Sequence, residues 1–216
     1  MKKVLAIVLA MMLVLSAAAM AETVKIGVYE PASGDSGAGG KQEMLGMQYA
    51  NKETPTVEIG GTTYDVELVY ADNGSSTDKA PSDAQKLVSE GVSVVLGSYG
   101  SGVSIAGSQY FADANIPAIG VTCTNPQVTA GNDHYFRICF LDPFQGTVLA
   151  NYASKELGAT TAYCLGELGN DYDQGLLTYF KQAFEGLGGT AIVESFPTGL
   201  KILLLKNYMI QLKEWI

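Results

Sequence analysis

Segments with apolar residues at strand spacing alternate along the chain with segments at helical spacing. This alternation predicts the order of its strands and helices. Apolar residues at strand spacing fill residues 24–29, 64–70, 92–96, 117–121, 134–138, 161–165 and 191–196. Apolar residues at helical spacing fill most intervals, and these predicted helices end near Asn51, Gly91, Asn115, Gly158 and Gly186. Strands that alternate with helices favour a parallel sheet covered by helices on both faces. The sequence therefore predicts a doubly wound α/β fold.

The segment 92–114 combines a strand, a glycine–serine loop and a helix. Its apolar run ends at Gly97, and the sequence Ser-Tyr-Gly-Ser-Gly follows, in which glycine lets the backbone approach a ligand closely. Ser101 is a candidate N-cap, and Gly102 comes next. The free N–H groups and the dipole of a helix start favour an anion, either a phosphate or a carboxylate. The simpler alternative is that Ser101 only caps the helix.

Polar residues also follow two other predicted strands. Thr122 and Thr124 lie directly after the strand 117–121, and neighbouring parallel strands end at the same edge of a sheet, so we expect both threonines near Ser101. Tyr172 lies in the glycine- and aspartate-rich loop 169–173, well placed to close over a ligand. Asp173 is the predicted N-cap of the helix that follows. The simpler alternatives are turn residues for the threonines and an ordinary surface tyrosine.

Composition and charge exclude several classes of protein. The 216 residues are 47% hydrophobic and 16% charged, which indicates a sizeable core. The net charge of −9 leaves no basic stripe for nucleic acid. One histidine and three cysteines are too few for most metal sites built from those ligands. We expect Cys123, Cys139 and Cys164 to be small buried residues at strand ends, with at most one disulfide among them.

Motifs of enzymes and nucleotide-binding proteins fail at the positions that matter. The stretch before Lys41 is superficially similar to a phosphate-binding loop, but Asp35 replaces its first glycine and Gln42 its final hydroxyl residue. No dinucleotide-binding fingerprint follows the first strand, the nucleophile elbow of serine hydrolases is absent, and acidic residues are not paired at a diagnostic spacing. His134 stands alone, and we interpret it as structural. We therefore assign no catalytic residue, metal or cofactor, and expect a protein that is not an enzyme.

The first 21 residues have the pattern of an export signal. Lys2 and Lys3 precede the apolar stretch 4–15, and alanines at positions 19 and 21 favour cleavage before Glu22. A membrane anchor is the alternative, but the apolar stretch is short for one. We therefore expect the mature protein in the periplasm or outside the cell, in an oxidising compartment.

Several motifs together resemble the periplasmic leucine/isoleucine/valine-binding family, which has a two-lobed type I fold and serves ABC importers. The motifs are VKIGV at 24–28 with PASG at 31–34, VVLG at 94–97 with Ser101, PAI at 117–119 with TCTNP at 122–126, YFR at 135–137 with QG at 145–146, and DYDQG at 171–175. The likeness extends from about residue 23 to residue 196, and the order and spacing of the motifs carry it.

The resemblance implies a role for each candidate site residue. The Ser101 hydroxyl and the N–H groups around Gly102 and Thr124 would hold the carboxylate of a ligand. The Thr122 carbonyl and the Thr124 hydroxyl would accept hydrogen bonds from its ammonium group, and Tyr172 would cover it from the second lobe. The family also implies two partners, a small amino acid or amide ligand and an ABC permease in the membrane.

The resemblance also divides the chain. We expect a signal peptide at 1–21, a first, ligand-binding lobe at 22–140, a partial second lobe at 141–198 and an atypical tail at 199–216. Because the family continues further and the tail carries an unusual apolar run at 202–205, we interpret it as a truncated or frameshifted reading frame. A natural amphipathic helix is the alternative.

The predicted function is an exported, non-enzymatic protein that captures a branched-chain amino acid or a related small amide for an ABC importer. A ligand-sensing extracellular receptor domain of the same fold is the alternative. An exported serine hydrolase is a third class, and the absent nucleophile elbow argues against it.

Overall fold

The computed structural model describes residues 23–199, which form two parallel-dominated sheets with helices between the strands. The predicted signal peptide and the tail from residue 200 onward lie outside the described residues. None of the helices within 23–199 combines the length and apolar character that a membrane span needs.

The order of strands and helices follows the prediction closely. The strands are β1 (Thr23–Glu30), β2 (Thr56–Ile59), β3 (Thr62–Asp72), β4 (Val94–Leu96), β5 (Ala118–Gly120), β6 (Tyr135–Arg137), β7 (Thr161–Glu167) and β8 (Thr190–Phe196). The helices are α1 (Gly37–Glu53), α2 (Ala80–Ser89), α3 (Ser101–Asp113), α4 (Asp142–Asn151) and α5 (Asp171–Gly186). A π-helical turn over Tyr152–Glu156 extends α4.

The first sheet has the strand order β2-β3-β1-β4-β5-β6, and β7 and β8 form a separate parallel pair. We call the six-stranded sheet with α1–α3 the first lobe, and β7–β8 with α4 and α5 the second lobe. The division of the chain at residues 140–141 stays a prediction. From β1 the chain winds first towards β3 and then back past β1 to β4, β5 and β6. Right-handed crossovers therefore place α1 on one face of the sheet and α2 and α3 on the other. Such a reversal of winding opens a crevice at the carboxyl ends of the central strands.

One edge of the sheet departs from the predicted parallel arrangement. β2 pairs antiparallel with β3 through the turn at Gly60 and Gly61, and the sequence pattern did not reveal it. All four residues of β2 are exposed. Because an exposed edge strand buries neither face, its sequence carries no strong apolar signal.

The glycine-rich segment before residue 41 is also more regular than predicted. We expected a loop up to Gly40, but α1 already begins at Gly37. A side chain at Gly40 would overlap the carbonyl of Pro31, and one at Gly39 would overlap the ring of Tyr99. These glycines therefore allow close packing inside a helix, where tertiary contacts outweigh the low helix propensity of glycine.

The core of the first lobe is centred on Tyr29, which is fully buried. Its ring meets Phe111 edge-on at 5.3 Å between centroids. Its hydroxyl donates to the carbonyl of Ala80 at 3.0 Å and lies 3.3 Å from that of Val103. Gly107 of α3 lies directly against the phenol, where a Cβ atom would clash with the ring. Tyr29 thus ties β1 to two helices on one face of the sheet.

The second lobe has a smaller core built around Phe184, which is fully buried against Ala150, Cys164 and Ala191. Its two helices pack backbone to backbone at Gly146 of α4. A Cβ atom there would lie 2.7 Å from the backbone nitrogen of Phe180 on α5. The absence of a side chain at residue 146 therefore lets α4 and α5 touch.

Candidate functional site

A cleft of about 890 Å³ lies between the two lobes at the carboxyl ends of β1, β4 and β5. All of the residues predicted to bind ligand line it. They are Ser101, Gly102, Thr122, Thr124 and Tyr172. The expectation that separate loops converge on one crevice therefore agrees with the structure, although their role in binding stays a prediction.

Ser101 is the first residue of α3 and is almost completely buried. The prediction that it is the N-cap is wrong, because Gly100 holds that position and no side chain caps the helix. The Ser101 oxygen instead accepts a hydrogen bond from the backbone N–H of Asn125 at 3.2 Å, which joins the two loops. A ligand at this helix start can therefore accept from the Ser101 hydroxyl and from the first N–H groups of α3, which have no partner inside the helix.

The two threonines offer different groups. The Thr124 side chain is 5% exposed, and its hydroxyl oxygen is buried without a hydrogen-bond partner among the described residues. The Thr122 hydroxyl is already engaged, because it donates to Glu43 and also lies 3.1 Å from the carbonyl of Tyr99. Thr124 therefore presents a hydroxyl in need of a partner, whereas Thr122 is left with its carbonyl.

Tyr172 lies in the first turn of α5, on the opposite side of the cleft. The prediction of Asp173 as the N-cap is wrong, because the side chain of Asn170 accepts from the N–H groups of Tyr172 and Asp173. The Tyr172 hydroxyl accepts a hydrogen bond from the amide of Gln145 at 2.8 Å. Gln145 also lines the cleft, and sequence reasoning used it only as part of a family motif.

Direct contacts join the two lobes beside the site. The side-chain amide of Asn125 donates to the carbonyl of Asp171 at 2.7 Å. The carboxylate of Asp171 lies against Gly102, where a Cβ atom would come within 2.8 Å of its oxygen. Sequence reasoning missed both contacts, because residues 125 and 171 are far apart in the chain and only the fold brings them together.

Arg137 and Asp142 form hydrogen bonds to the backbone of the loop 122–129. Arg137 donates to the carbonyls of Cys123, Asn125 and Pro126. The Asp142 carboxyl is fully buried and has no hydrogen-bond partner within residues 23–199. Burial raises the pKa of Asp142, and the nearby Thr124 hydroxyl and Arg137 guanidinium offset part of that increase. A guanidinium and a carboxyl group thus flank the loop on which Thr124 lies.

The cysteines allow a simple test of the cleft. Cys139 lines it and is half-buried, whereas Cys123 and Cys164 are buried, and all three are free thiols. Burial raises the pKa of the Cys123 thiol to about 11, which lowers its reactivity further. We expect a thiol reagent at pH 8 to label the native protein fastest at Cys139, and the fast phase to vanish in Cys139→Ser. A fast phase that persists in this variant would contradict the position of Cys139.

A sequence profile described as periplasmic binding protein matches residues 23–214. The chain is 31% identical over 167 residues to Leu/Ile/Val-binding protein homolog 1 of Brucella abortus, covering 76% of this chain and 44% of the relative. The chain thus spans about half the length of the curated relatives it matches.

Solved structures of similar binding proteins also match this chain over about half of their own length. A leucine-binding protein, LivK of Thermotoga maritima, superposes with a TM-score of 0.81 at 33% identity, over 88% of this chain and 53% of that one. LivJ of Streptococcus pneumoniae, solved with isoleucine, has a TM-score of 0.75 at 29% identity, over 87% and 54%. These similarities confirm the predicted fold class, with a second lobe that is incomplete relative to those longer chains.

Proposed function

Since the chain belongs to the periplasmic binding protein family, we propose that it is an extracytoplasmic solute-binding protein. Its ligand is a small amino acid of the branched-chain type or a related amide, which it delivers to an ABC permease in the membrane. The observation that carries this proposal is the cleft between the lobes, where the buried hydroxyls of Ser101 and Thr124 lie beside the start of α3.

The ligand carboxylate is held at the amino end of α3. The Ser101 hydroxyl donates to it, together with N–H groups around Gly102 and Thr124, and the helix dipole favours the negative charge. Each such charge-assisted hydrogen bond contributes about 1.5–3 kcal/mol. Three or four of them are enough for roughly micromolar affinity once the entropy lost on binding is subtracted.

The ligand ammonium group is held by oxygens of the loop after β5. The unpartnered Thr124 hydroxyl and the Thr122 carbonyl accept its hydrogen bonds, and this gives the buried Thr124 oxygen the partner that it lacks within residues 23–199. Tyr172, oriented by Gln145, covers the ligand from the second lobe.

The proposal extends to the whole protein. Residues 1–21 direct export, residues 22–140 and 141–198 form the two lobes, and the protein binds its ligand without reaction. An importer is supported over a receptor because LivJ of Streptococcus pneumoniae is described as a branched-chain amino acid transporter substrate-binding protein. The groups proposed to contact the ligand are hydroxyl and backbone groups, which can bind a carboxylate and an ammonium group.

Calorimetry with the purified chain and a panel of amino acids and amides tests the proposal. We expect binding of at least one ligand, and a loss of affinity of about 10- to 100-fold in Ser101→Ala or Thr124→Val, since each removes one hydrogen bond to a charged group. Ser108→Ala on the same helix is the matched control, because its hydroxyl bonds within α3 to Ile105. Absence of heat with every member of the panel would refute the proposal.

A further inference from the structure

A buried carboxyl group lies behind the cleft at the end of β1. Glu30 is fully buried, and one of its oxygens accepts a hydrogen bond from the backbone N–H of Tyr99 at 2.8 Å. Its other oxygen has no donor among the described residues. Tyr99 belongs to the loop 97–100 that precedes α3, so Glu30 anchors this loop to the central strand.

A second carboxyl group faces Glu30 from α1. Glu43 directs one oxygen to the hydroxyl of Thr122 at 2.5 Å, and its other oxygen is buried without a donor in residues 23–199. The two carboxyl groups come together around Tyr99 and Thr122, because Glu30 accepts from the Tyr99 N–H while the Thr122 hydroxyl lies against both Glu43 and the Tyr99 carbonyl. Two ionised carboxylates in contact repel each other, whereas one proton between them converts the contact into a hydrogen bond and gives both orphan oxygens a partner.

We propose that Glu30 and Glu43 share one proton and act as positioning residues, which hold the loop 97–100 and Thr122 together at the ligand cleft. The connection forms a closed circuit. The Tyr99 N–H donates to Glu30, the shared proton joins Glu30 to Glu43, the Thr122 hydroxyl donates to Glu43, and the Tyr99 carbonyl lies beside the same hydroxyl. Both loops that contribute ligand-binding groups are thereby fixed to β1 and α1.

The surroundings of the pair favour retention of the proton. Burial, reinforced by contact with Glu43, raises the pKa of Glu30 to about 10. Two other titratable groups face the pair. The charge of Glu30 contributes to the raised pKa of Tyr135, and that of Glu43 contributes to the raised pKa of Cys139. Within residues 23–199, no lysine or arginine forms an ion pair with either carboxyl group. A doubly ionised pair would therefore have no ion-pair partner among these residues.

Titration of the full chain labelled with ¹³C at glutamate side chains tests the shared proton without any ligand. We expect one carboxyl resonance to titrate above pH 8 and to disappear in Glu30→Gln. In Glu43→Gln we expect its midpoint to fall, because an amide can donate to the Glu30 carboxylate. Titration of every glutamate below pH 6 would overturn the proposal.

Folding stability gives a second measurement. The pKa of Glu30 is raised in the folded state, so the unfolded state releases this proton first, and stability is lost as the pH rises above about 4.5. Relative to Glu30→Gln, the folding equilibrium constant of the wild type should fall by about tenfold per pH unit between pH 5 and 8. Glu67→Gln, at an exposed site on the neighbouring β3, should follow the wild type. Parallel curves for wild type and Glu30→Gln would contradict the shared proton.

The effect on the cleft rests on the proposed function and is measured at pH 7 with leucine as the probe. We expect Glu30→Ala to weaken binding by about tenfold or more, and Glu30→Gln to recover part of the loss, because an amide still donates to Glu43 and accepts from Tyr99. Equal losses in both variants would overturn the positioning role. A wild type that binds no member of the panel but retains the high carboxyl titration would refute only the proposed function.

Discussion

Phe184→Ala is expected to reduce the free energy of unfolding by about 3–5 kcal/mol, because it empties the centre of a small core. Phe184 is the large side chain in a buried cluster whose other members are Ala150, Cys164 and Ala191. Its ring stacks on Phe180 at 5.4 Å between centroids. The neighbours are too small to fill the space that the ring leaves.

Denaturant unfolding followed by circular dichroism measures this loss. Leu187→Ala is the control, because Leu187 follows the same helix but is 40% exposed, and we expect it to cost less than about 1 kcal/mol. If the two variants lost similar amounts, Phe184 would not be the centre of the second-lobe core. Since α5 also carries Tyr172, unfolding of this lobe should remove one wall of the cleft.

Gly107→Ala is expected to lower the free energy of unfolding by about 2–3 kcal/mol, although alanine is the better helix former. A methyl group at residue 107 would overlap the phenol of Tyr29, which is fully buried and bonded to the carbonyl of Ala80. The ring has no space to retreat, so either α3 shifts or the hydrogen bond breaks.

Gly46→Ala is the matched control for Gly107→Ala. It is the same substitution within a helix, but we expect it to raise the free energy of unfolding rather than lower it. Nothing lies within 4 Å of a Cβ atom at Gly46, and its backbone is helical. We expect a gain of about 0.5–1 kcal/mol, the ordinary advantage of alanine over glycine in a helix. Denaturation midpoints of the two variants should therefore move in opposite directions, and a stabilised Gly107→Ala would show that the contact with Tyr29 is not tight.

The sequence predicted most of the fold because burial imposes apolar periodicity on core elements. β1, β4 and α5 all appear where their patterns placed them. The exposed edge strand β2 buries no face and left no comparable signal. The start of α1 was misplaced because glycine, which normally indicates a loop, is required there by close contacts with Pro31 and Tyr99. Those contacts depend on residues distant in sequence.

Only some residues of the candidate site could be predicted from the sequence. Ser101, Thr122 and Thr124 could be found because they follow apolar strands of the central sheet, where polar residues stand out. Asn125 and Gln145 could not be identified in the same way, since their roles arise from contacts across the cleft. Glu30 is an ordinary polar residue at a strand end in the sequence, and its proposed pairing with Glu43 depends on how β1 and α1 pack.

The backbone contact at Gly146 has a consequence for motion between the lobes. Because α4 and α5 touch without intervening side chains, the two helices are closely packed at this point. Gln145 and Tyr172 therefore approach or leave the first lobe as one rigid body, with their mutual hydrogen bond intact. Such a movement would use the backbone torsions of residues 138–141, which connect β6 to α4.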